Sequence, residues 1–228
     1  FPYTTLFRSA PLWLMALVPL IALLLVLREA ADPPLPPVAH QSTRLQASML
    51  PFLVLALLLA ALVSLMQLGL SPHLHPLFNG DAVQISHHVA LLLSLAALAT
   101  LAAQFLVVRP QHFTPRVLLL LAAVLMVAGL GLMCLASLAL FYVGIVITSL
   151  GAAMATPGYQ LLLNDRLTTG KGAGVIATSH TLGYGASALL VPVVTRVYGE
   201  QFLITAAWGM ALLFLAVSLW VRSTDRTP

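Results

Sequence analysis

Long, nearly uninterrupted apolar runs constrain this chain more than any other feature. The longest covers residues 117–163. A helix needs about 20 apolar residues to cross the roughly 30 Å of hydrocarbon in a bilayer, so this run is too long for one span even when strongly tilted. It predicts two membrane-spanning helices with a tight turn near residues 135–139. The expected fold class is therefore an all-α, polytopic transmembrane helix bundle.

The composition excludes the main classes of water-soluble protein. Only 7% of the residues are charged and 61% are hydrophobic, whereas a soluble domain carries about 25% charged residues. A soluble globular enzyme and a disordered chain are excluded. So is a nucleic-acid partner, because the net charge of +4 comes from scattered arginines. The single cysteine, Cys134, lies in an apolar run, which argues against disulfides and thiolate metal sites.

Six full spans and one partial span are predicted. Residues 10–27 form a short apolar run, which we predict to be the partial helix. Residues 28–47 contain four prolines within positions 33–37, which cannot continue a helix, and they are predicted to be a linker with polyproline character. The six full spans form a bundle over residues 48–221, at about 48–70, 83–108, two within 117–163, 174–195 and 202–221, and a polar tail follows at 222–228.

Two helix starts are marked by side chains that accept hydrogen bonds from free backbone N–H groups. Thr43, with Gln46 three residues later, resembles a capping box before the first full span. Asp81 with Gln84 is a second N-cap candidate. The Pro- and Gly-rich residues 71–81 are predicted to be a loop, and residues 109–116 a short polar turn.

The basic residues give an expected orientation, because Lys and Arg accumulate in short cytoplasmic loops. With the linker inside, and with Arg8 near the start of the chain set aside, Arg196 alone falls outside. The inner segments then hold Arg28, Arg44, Arg109, Arg116, Arg166, Lys171, Arg222 and Arg226. The linker and the C-terminal tail are therefore expected to be cytoplasmic, in a multi-pass protein of the inner (plasma) membrane.

The first nine residues, FPYTTLFRS, resemble one translation frame of a common sequencing adapter. We expect residues 1–9 to be a non-native segment and the chain to be truncated ahead of Ala10. The alternative is a native segment outside the membrane. A signal peptide is not indicated, since no basic region precedes an apolar core.

Three stretches resemble the C-terminal half of a major facilitator superfamily transporter, and the resemblance covers residues 10–228. They are the Pro-rich linker followed by six helices, the connection AAQFLVVRPQHFTPRVLLL with its short basic turn, and the region GAAMATPGYQLLLNDRLTTGKGAGVIATSHTLGYGASALLVP with its Pro and Gly positions. The turn RPQHFTPR departs from the family's acidic–glycine–basic loop signature, so the gating role of that loop is not carried over. The resemblance implies helices six (partial) to twelve of twelve.

The resemblance further implies a secondary transporter that moves a small solute by alternating access, with both halves framing one cavity near the bilayer midplane. Its partners would be the lipid bilayer, a small-molecule substrate and a missing N-terminal half of the same chain, with no cofactor. A mostly apolar cavity with few fixed charges favours an exporter of amphipathic or drug-like compounds, with proton coupling as an option. The alternative is a non-transporting membrane scaffold or partner subunit. Neither is an enzyme, and the sequence contains no nucleotide-binding loop and no GxSxG elbow.

His180 is the first candidate for contact with a substrate or a proton, because it lies near the middle of a predicted span. Polar groups inside a membrane usually face the protein interior, and histidine titrates near neutral pH. Tyr184 lies one turn further on the same face. The alternative is a neutral histidine that bonds a neighbouring helix. No acidic residue lies deep in a span, so a coupling carboxylate would lie in the missing half unless His180 replaces it.

By the resemblance, the first and fourth full spans also line the cavity. Their candidate contacts are Gln67 in the first and Thr148, Ser149, Thr156 and Tyr159 in the fourth. The Ser and Thr hydroxyls can instead bond the carbonyl of the preceding turn, which is their commoner role.

Small residues in the fifth full span predict close helix packing or a flexible gate. Ser179, Gly183 and Ser187 are four apart and share a face, and Gly174 lies one turn before them. Pro157, in the fourth span, is expected to kink or end its helix.

Histidines cluster around the predicted loop at residues 71–81, but no metal site is predicted there. His87 and His88 are adjacent and point about 100° apart on a helix. His73 and His75 are flanked by prolines in a segment expected to be an exposed loop. His88 remains a candidate for the outer mouth of a cavity.

Overall fold

The computed structural model of the protein describes residue 17 and residues 19–28, 47–135, 137–165 and 172–224. These residues contain helices and turns but no strand, which confirms the predicted all-α class. The chain divides into two compact units, Phe1–Thr43 and Arg44–Pro228. In the first unit, the described part is one short apolar helix, α1 (Pro19–Arg28), within the run predicted to be the partial span.

The described part of the second unit contains six long helices. They are α2 (Leu50–Leu74), α3 (Ala82–Ala103), α4 (Pro115–Met133), α5 (Leu138–Asn164), α6 (Gly172–Tyr198) and α7 (Leu203–Thr224). Short 3-10 segments, Ala47–Met49 and Glu200–Phe202, precede α2 and α7. A π-helical segment, Gln104–Val108, extends α3.

Five of these helices are long and apolar enough to cross a membrane: α2, α3 with its π-helical extension, α4, α5, and α7 with its 3-10 segment. The described chain is therefore a multi-pass helical bundle of the kind that spans membranes. Helix α6 is as long as α5, at 27 residues, but it has a polar stretch over residues 178–181 and is not among the five. The sixth full span stays a prediction.

The long apolar run does divide into two helices, as predicted. Helix α4 ends at Met133 and α5 begins at Leu138. The polar turn before α4 is also observed. Thr114 ends this turn and accepts a hydrogen bond from the Val117 backbone N–H at 3.4 Å, so its hydroxyl satisfies one of the free donors of the first helical turn.

The segment around residues 71–81 was only partly predicted correctly. Helix α2 continues through Pro72 to Leu74, so the loop is shorter than expected. Pro72 removes only one hydrogen-bond donor, and the helix continues beyond it, with the His75 N–H bonded to the Ser71 carbonyl at 3.1 Å. The N-cap at Asp81 is confirmed, because its carboxylate accepts from the backbone N–H groups of Val83 and Gln84.

The capping box predicted at Thr43 and Gln46 lies outside the described residues. So do residues 1–9, residues 29–46 of the linker, most of the loop after α5 and the last four residues of the tail. The Arg222 side chain is likewise not described.

Helices α4 and α5 form the closest pair in the bundle, and α5 achieves this with glycines spaced two turns apart. A Cβ atom on Gly151 would lie 2.7 Å from the Ala122 carbonyl oxygen, and one on Gly158 would lie 3.2 Å from the Leu119 nitrogen. Gly144 makes the equivalent approach to Gly129. Helix α2 packs on α6 and α7, and α3 packs mainly on α5. A pocket is left where α2, α3, α5 and α6 meet.

Candidate functional site

A pocket of about 220 Å³ lies between these four helices, and its wall combines small apolar and polar side chains. Helix α2 supplies apolar residues, while the other three helices each supply at least one hydroxyl or ring nitrogen. The lining residues are Leu59, Ala60 and Val63 of α2, Thr100 of α3, Ala152, Ala153 and Thr156 of α5, and His180 and Tyr184 of α6.

Tyr159, a predicted contact, does not line the pocket itself but bonds the histidine that does. Its side chain is fully buried, and its hydroxyl group forms a hydrogen bond with His180 Nε2. The same hydroxyl lies 3.3 Å from Thr156 Oγ1. A buried tyrosine hydroxyl needs a partner in an apolar interior. The Tyr159–His180 hydrogen bond also joins α5 to α6 at the pocket.

The polar residues of the pocket lie at one depth in the bundle. Two of them, Thr100 and Thr156, come eight residues before the last residue of their helical segments. The third, His180, comes eight residues after the first residue of α6. Eight residues correspond to about 12 Å of helix rise. These three ends are on the same side, because successive helices of the bundle run in opposite directions. The pocket therefore lies closer to the side where α6 begins, and it is partly open, since Tyr184 in its wall is 51% exposed.

A second histidine–tyrosine hydrogen bond lies near the opposite end of the bundle. His88 Nδ1 of α3 is 2.7 Å from the Tyr142 hydroxyl of α5, and the His88 ring stacks on Phe78 with centroids 4.4 Å apart. His88 therefore belongs to a cluster distinct from the His180 pocket.

Three other predicted contacts do not line the pocket. Gln67 is an exposed residue of α2, two turns beyond Ala60 on the same face. Thr148 is fully buried against α4, and its hydroxyl donates to the Gly144 carbonyl at 2.8 Å, which is the back-bonded alternative. Ser149 is buried beside it, with 5% of its surface exposed.

The small residues of α6 differ in their contacts. A Cβ atom on Gly183 would meet the Leu57 carbonyl oxygen, and the Ala60 Cβ at 2.8 Å. Ser187 donates to Ser64 of α2 at 2.7 Å, and Ser179 is buried with its hydroxyl bonded to the Val175 carbonyl. A Cβ atom on Gly174, in contrast, would have no atom within 4 Å among the described residues.

Pro157 lies inside α5, which continues to Asn164. The alternative that Pro157 ends this helix is therefore wrong. The proline also explains a contact that sequence reasoning missed. Gln104, at the start of the π-helical segment, donates from Nε2 to the Ala153 carbonyl at 3.1 Å, four residues before the proline.

His73 is a second residue whose environment was not foreseen. It was expected in an exposed loop, but it lies in the last turn of α2 and stacks on Phe141 with centroids 4.7 Å apart. His73 lies there because α2 extends beyond Pro72. The only feature of the sequence that could have indicated this extension is the apolar Leu74 that follows.

A larger groove of about 620 Å³ lies between α4 and α7, but its wall is mainly Leu and Val, with Thr114 and Arg116 as its polar members. Within the described ranges, no three His, Cys, Asp or Glu side chains come close enough to hold a metal ion. The small pocket is therefore the candidate site, because several polar groups converge on it.

No protein-family model matches the chain, and no curated protein sequence does. The fold is that of a multi-pass helical bundle, and its candidate site is a mostly apolar, partly open pocket with a few polar side chains.

Proposed function

We propose that the chain is part of a secondary transporter that moves a small solute across the membrane by alternating access. The observation that carries the proposal is the pocket between α2, α3, α5 and α6. Hydroxyl groups and an imidazole inside an apolar bundle are costly to keep and are typical of solute or proton pathways. A site lined by several helices is what alternating access requires.

The likeness to the C-terminal half of a major facilitator superfamily transporter is part of this proposal. In such a protein α2 to α7 are the last six of twelve helices, and α6 crosses the membrane. A second half completes the cavity next to α3 and α6. The exposed Gln67, on the α2 face that lines the pocket, then becomes part of the same solute path.

We further propose that His180 couples transport to protons and that the solute is amphipathic and exported. His180 is the titratable imidazole of the pocket, and the sequences of α2 to α5 contain no Asp or Glu. The remaining lining is mostly apolar, which suits a compound with a large hydrophobic part.

The test is efflux of ethidium, an amphipathic fluorescent cation, from cells that express the chain with any native sequence preceding Ala10. We expect wild-type efflux to depend on external pH between about pH 5 and about pH 8, the range in which histidine changes its charge. The variant His180→Gln keeps a group that can bond Tyr159 but cannot titrate, so its efflux should persist without that pH dependence. Gly185→Ala, on an open part of α6, is the matched control.

The outcomes separate the parts of the proposal. Unchanged pH dependence in His180→Gln removes the proton role but leaves transport. If wild-type cells export no more ethidium than cells with an empty vector, a panel of chemically distinct amphipathic dyes is tested next. No efflux of any of them contradicts the exporter proposal.

One observation favours a second candidate, a membrane scaffold or partner subunit. His180 already bonds Tyr159 of a neighbouring helix, and a purely structural role needs nothing more. In a scaffold, Tyr159→Phe should lower thermal stability while solute movement stays at background. In a transporter, the same substitution should change the efflux rate under conditions where the protein stays folded.

A further inference from the structure

Pro157 leaves a backbone carbonyl of α5 without its usual partner. In a regular helix the N–H of residue 157 would donate to the Ala153 carbonyl, but proline has no N–H and its ring crowds that oxygen. In a bilayer no water is present to replace the missing donor. The Ala153 carbonyl therefore needs a donor from elsewhere in the protein.

Gln104 supplies that donor from another helix. Its Nε2 atom lies 3.1 Å from the Ala153 oxygen. Gln104 is also the first residue of the π-helical segment, whose widened turn is closed by the Arg109 N–H bonding the Gln104 carbonyl at 2.8 Å. Such segments occur frequently at functional sites in helices. One hydrogen bond thus joins the π-helical segment that extends α3 to the proline-interrupted turn of α5.

This hydrogen bond lies directly beside the pocket. Ala153 is itself a lining residue, with Ala152 and Thr156 beside it on α5. On α3, Thr100 lines the pocket one turn before Gln104. Both helices are therefore tied together within a turn of the residues that shape the pocket.

We infer that Gln104 is a positioning residue: its amide replaces the donor that Pro157 lacks and holds the α5 wall of the pocket against α3. Because the bond crosses between helices, it also fixes their separation, which an intrahelical bond would not do. At this end of the two helices the wall can then move relative to α3 only when this bond opens, while the His88–Tyr142 bond joins α3 and α5 near their other end. Any role of that opening in solute movement rests on the proposed function, but the positioning itself does not.

The test is a cycle of two substitutions on different helices. Gln104→Met keeps the length and helix preference of the side chain but removes the donor. Pro157→Ala restores an intrahelical donor for the Ala153 carbonyl, so Gln104 should no longer be needed. The reporter is the rate at which a charged methanethiosulfonate labels Ala152→Cys in a Cys134→Ser background, with the protein purified in lipid nanodiscs.

We expect Gln104→Met to raise the labelling rate by about two- to tenfold, in line with loss of one hydrogen bond. In the Pro157→Ala background the same substitution should change the rate much less. Equal effects in both backgrounds, or no effect in either, would overturn the inference. A role of Gln104 in general packing would give equal effects, so the rescue separates positioning from structure.

The proposal stays decidable if Gln104→Met does not fold. Gln104→Met combined with Pro157→Ala should then accumulate as a folded protein, and its failure to do so would contradict the inference. Labelling does not require transport. If the chain moves no solute but Pro157→Ala still reduces the effect of Gln104→Met, the proposed function is refuted and the positioning role of Gln104 is retained.

Discussion

Among single residues, Gly183 is a position where one added methyl group should have a large effect. A Cβ atom there would lie 2.8 Å from the Ala60 Cβ and would also meet the Leu57 carbonyl oxygen. Since a backbone atom of a packed helix cannot easily move away, we expect Gly183→Ala to lower the free energy of unfolding by about 1–3 kcal/mol. Thermal unfolding in detergent micelles measures it.

Gly185 provides the matched control for this prediction. It lies two residues further along the same helix, and an added Cβ would have nothing within 4 Å in the described part of the chain. Gly185→Ala should be neutral or slightly stabilising, because alanine favours a helix over glycine by about 1 kcal/mol. Equal melting temperatures for the two variants would show that α6 does not depend on this contact with α2.

The residues of the pocket were predictable to different degrees. His180 and Tyr184 stood out because polar side chains deep in an apolar run are costly, and both line the pocket. Gln104 obeys the same rule but was missed, since its partner is a carbonyl freed by Pro157 more than forty positions away in the chain. Thr148 was predicted to be a contact and is not one, because its buried hydroxyl donates to the Gly144 carbonyl of its own helix.

Among the helices, α3 has the most clearly defined start. Asp81 accepts hydrogen bonds from the backbone N–H groups of Gln84 and Val83, and the Gln84 side chain donates back at 3.0 Å. The backbone N–H of Gln84, more than any other group, lowers the pKa of the Asp81 carboxyl, and the Val83 N–H acts in the same direction. The charged form is thus favoured in the folded protein.

The sign of the pH effect follows from this lowered pKa. The carboxylate stabilises the folded state above its unfolded pKa, near 3.9, and this contribution disappears as the pH falls through the lower, folded pKa. We expect Asp81→Ala to lower the melting temperature at neutral pH. As the pH falls below the folded pKa of Asp81, the melting temperatures of wild type and variant should converge.

Asn is also a strong N-cap residue but does not titrate. Asp81→Asn should therefore stay close to wild type at neutral pH and show none of the acid-dependent loss that comes from this site. A variant Asp81→Ala that melts with wild type at every pH would mean that the observed cap adds no stability to α3.

The glycines of α5 show why helix existence is easier to predict than helix packing. The start of α3 and the division of the run at 117–163 follow from local chemistry, and both were predicted. The close approach of α5 to α4 depends on Gly144 and Gly151 facing Gly129 and Ala122. Within an apolar run such glycines carry no polar signal, and only their seven-residue spacing, two helical turns, marks a common face.

For the whole molecule, the open question that the sequence poses is whether α6 crosses the membrane. The turns at residues 109–114 and 75–81 lie at opposite ends of the bundle, because single helices separate them. If α6 crosses, the C-terminus is on the side of the 109–114 turn. If α6 does not cross, the C-terminus is on the side of residues 75–81. The side of the C-terminus therefore reports on α6 independently of hydropathy.

We predict that α6 crosses and that the C-terminus is cytoplasmic, since the basic residues of the alternate segments then lie inside. Single cysteines are introduced at Leu77, His112 and Thr227 in a Cys134→Ser background, and intact cells are treated with an impermeant maleimide. Leu77→Cys should label at once, whereas His112→Cys and Thr227→Cys should label only after the cells are opened. Labelling of positions 77 and 227 together would mean that α6 does not cross. Labelling of 112 and 227 without 77 would keep the six spans and reverse the orientation, so the positive charges would not have directed insertion.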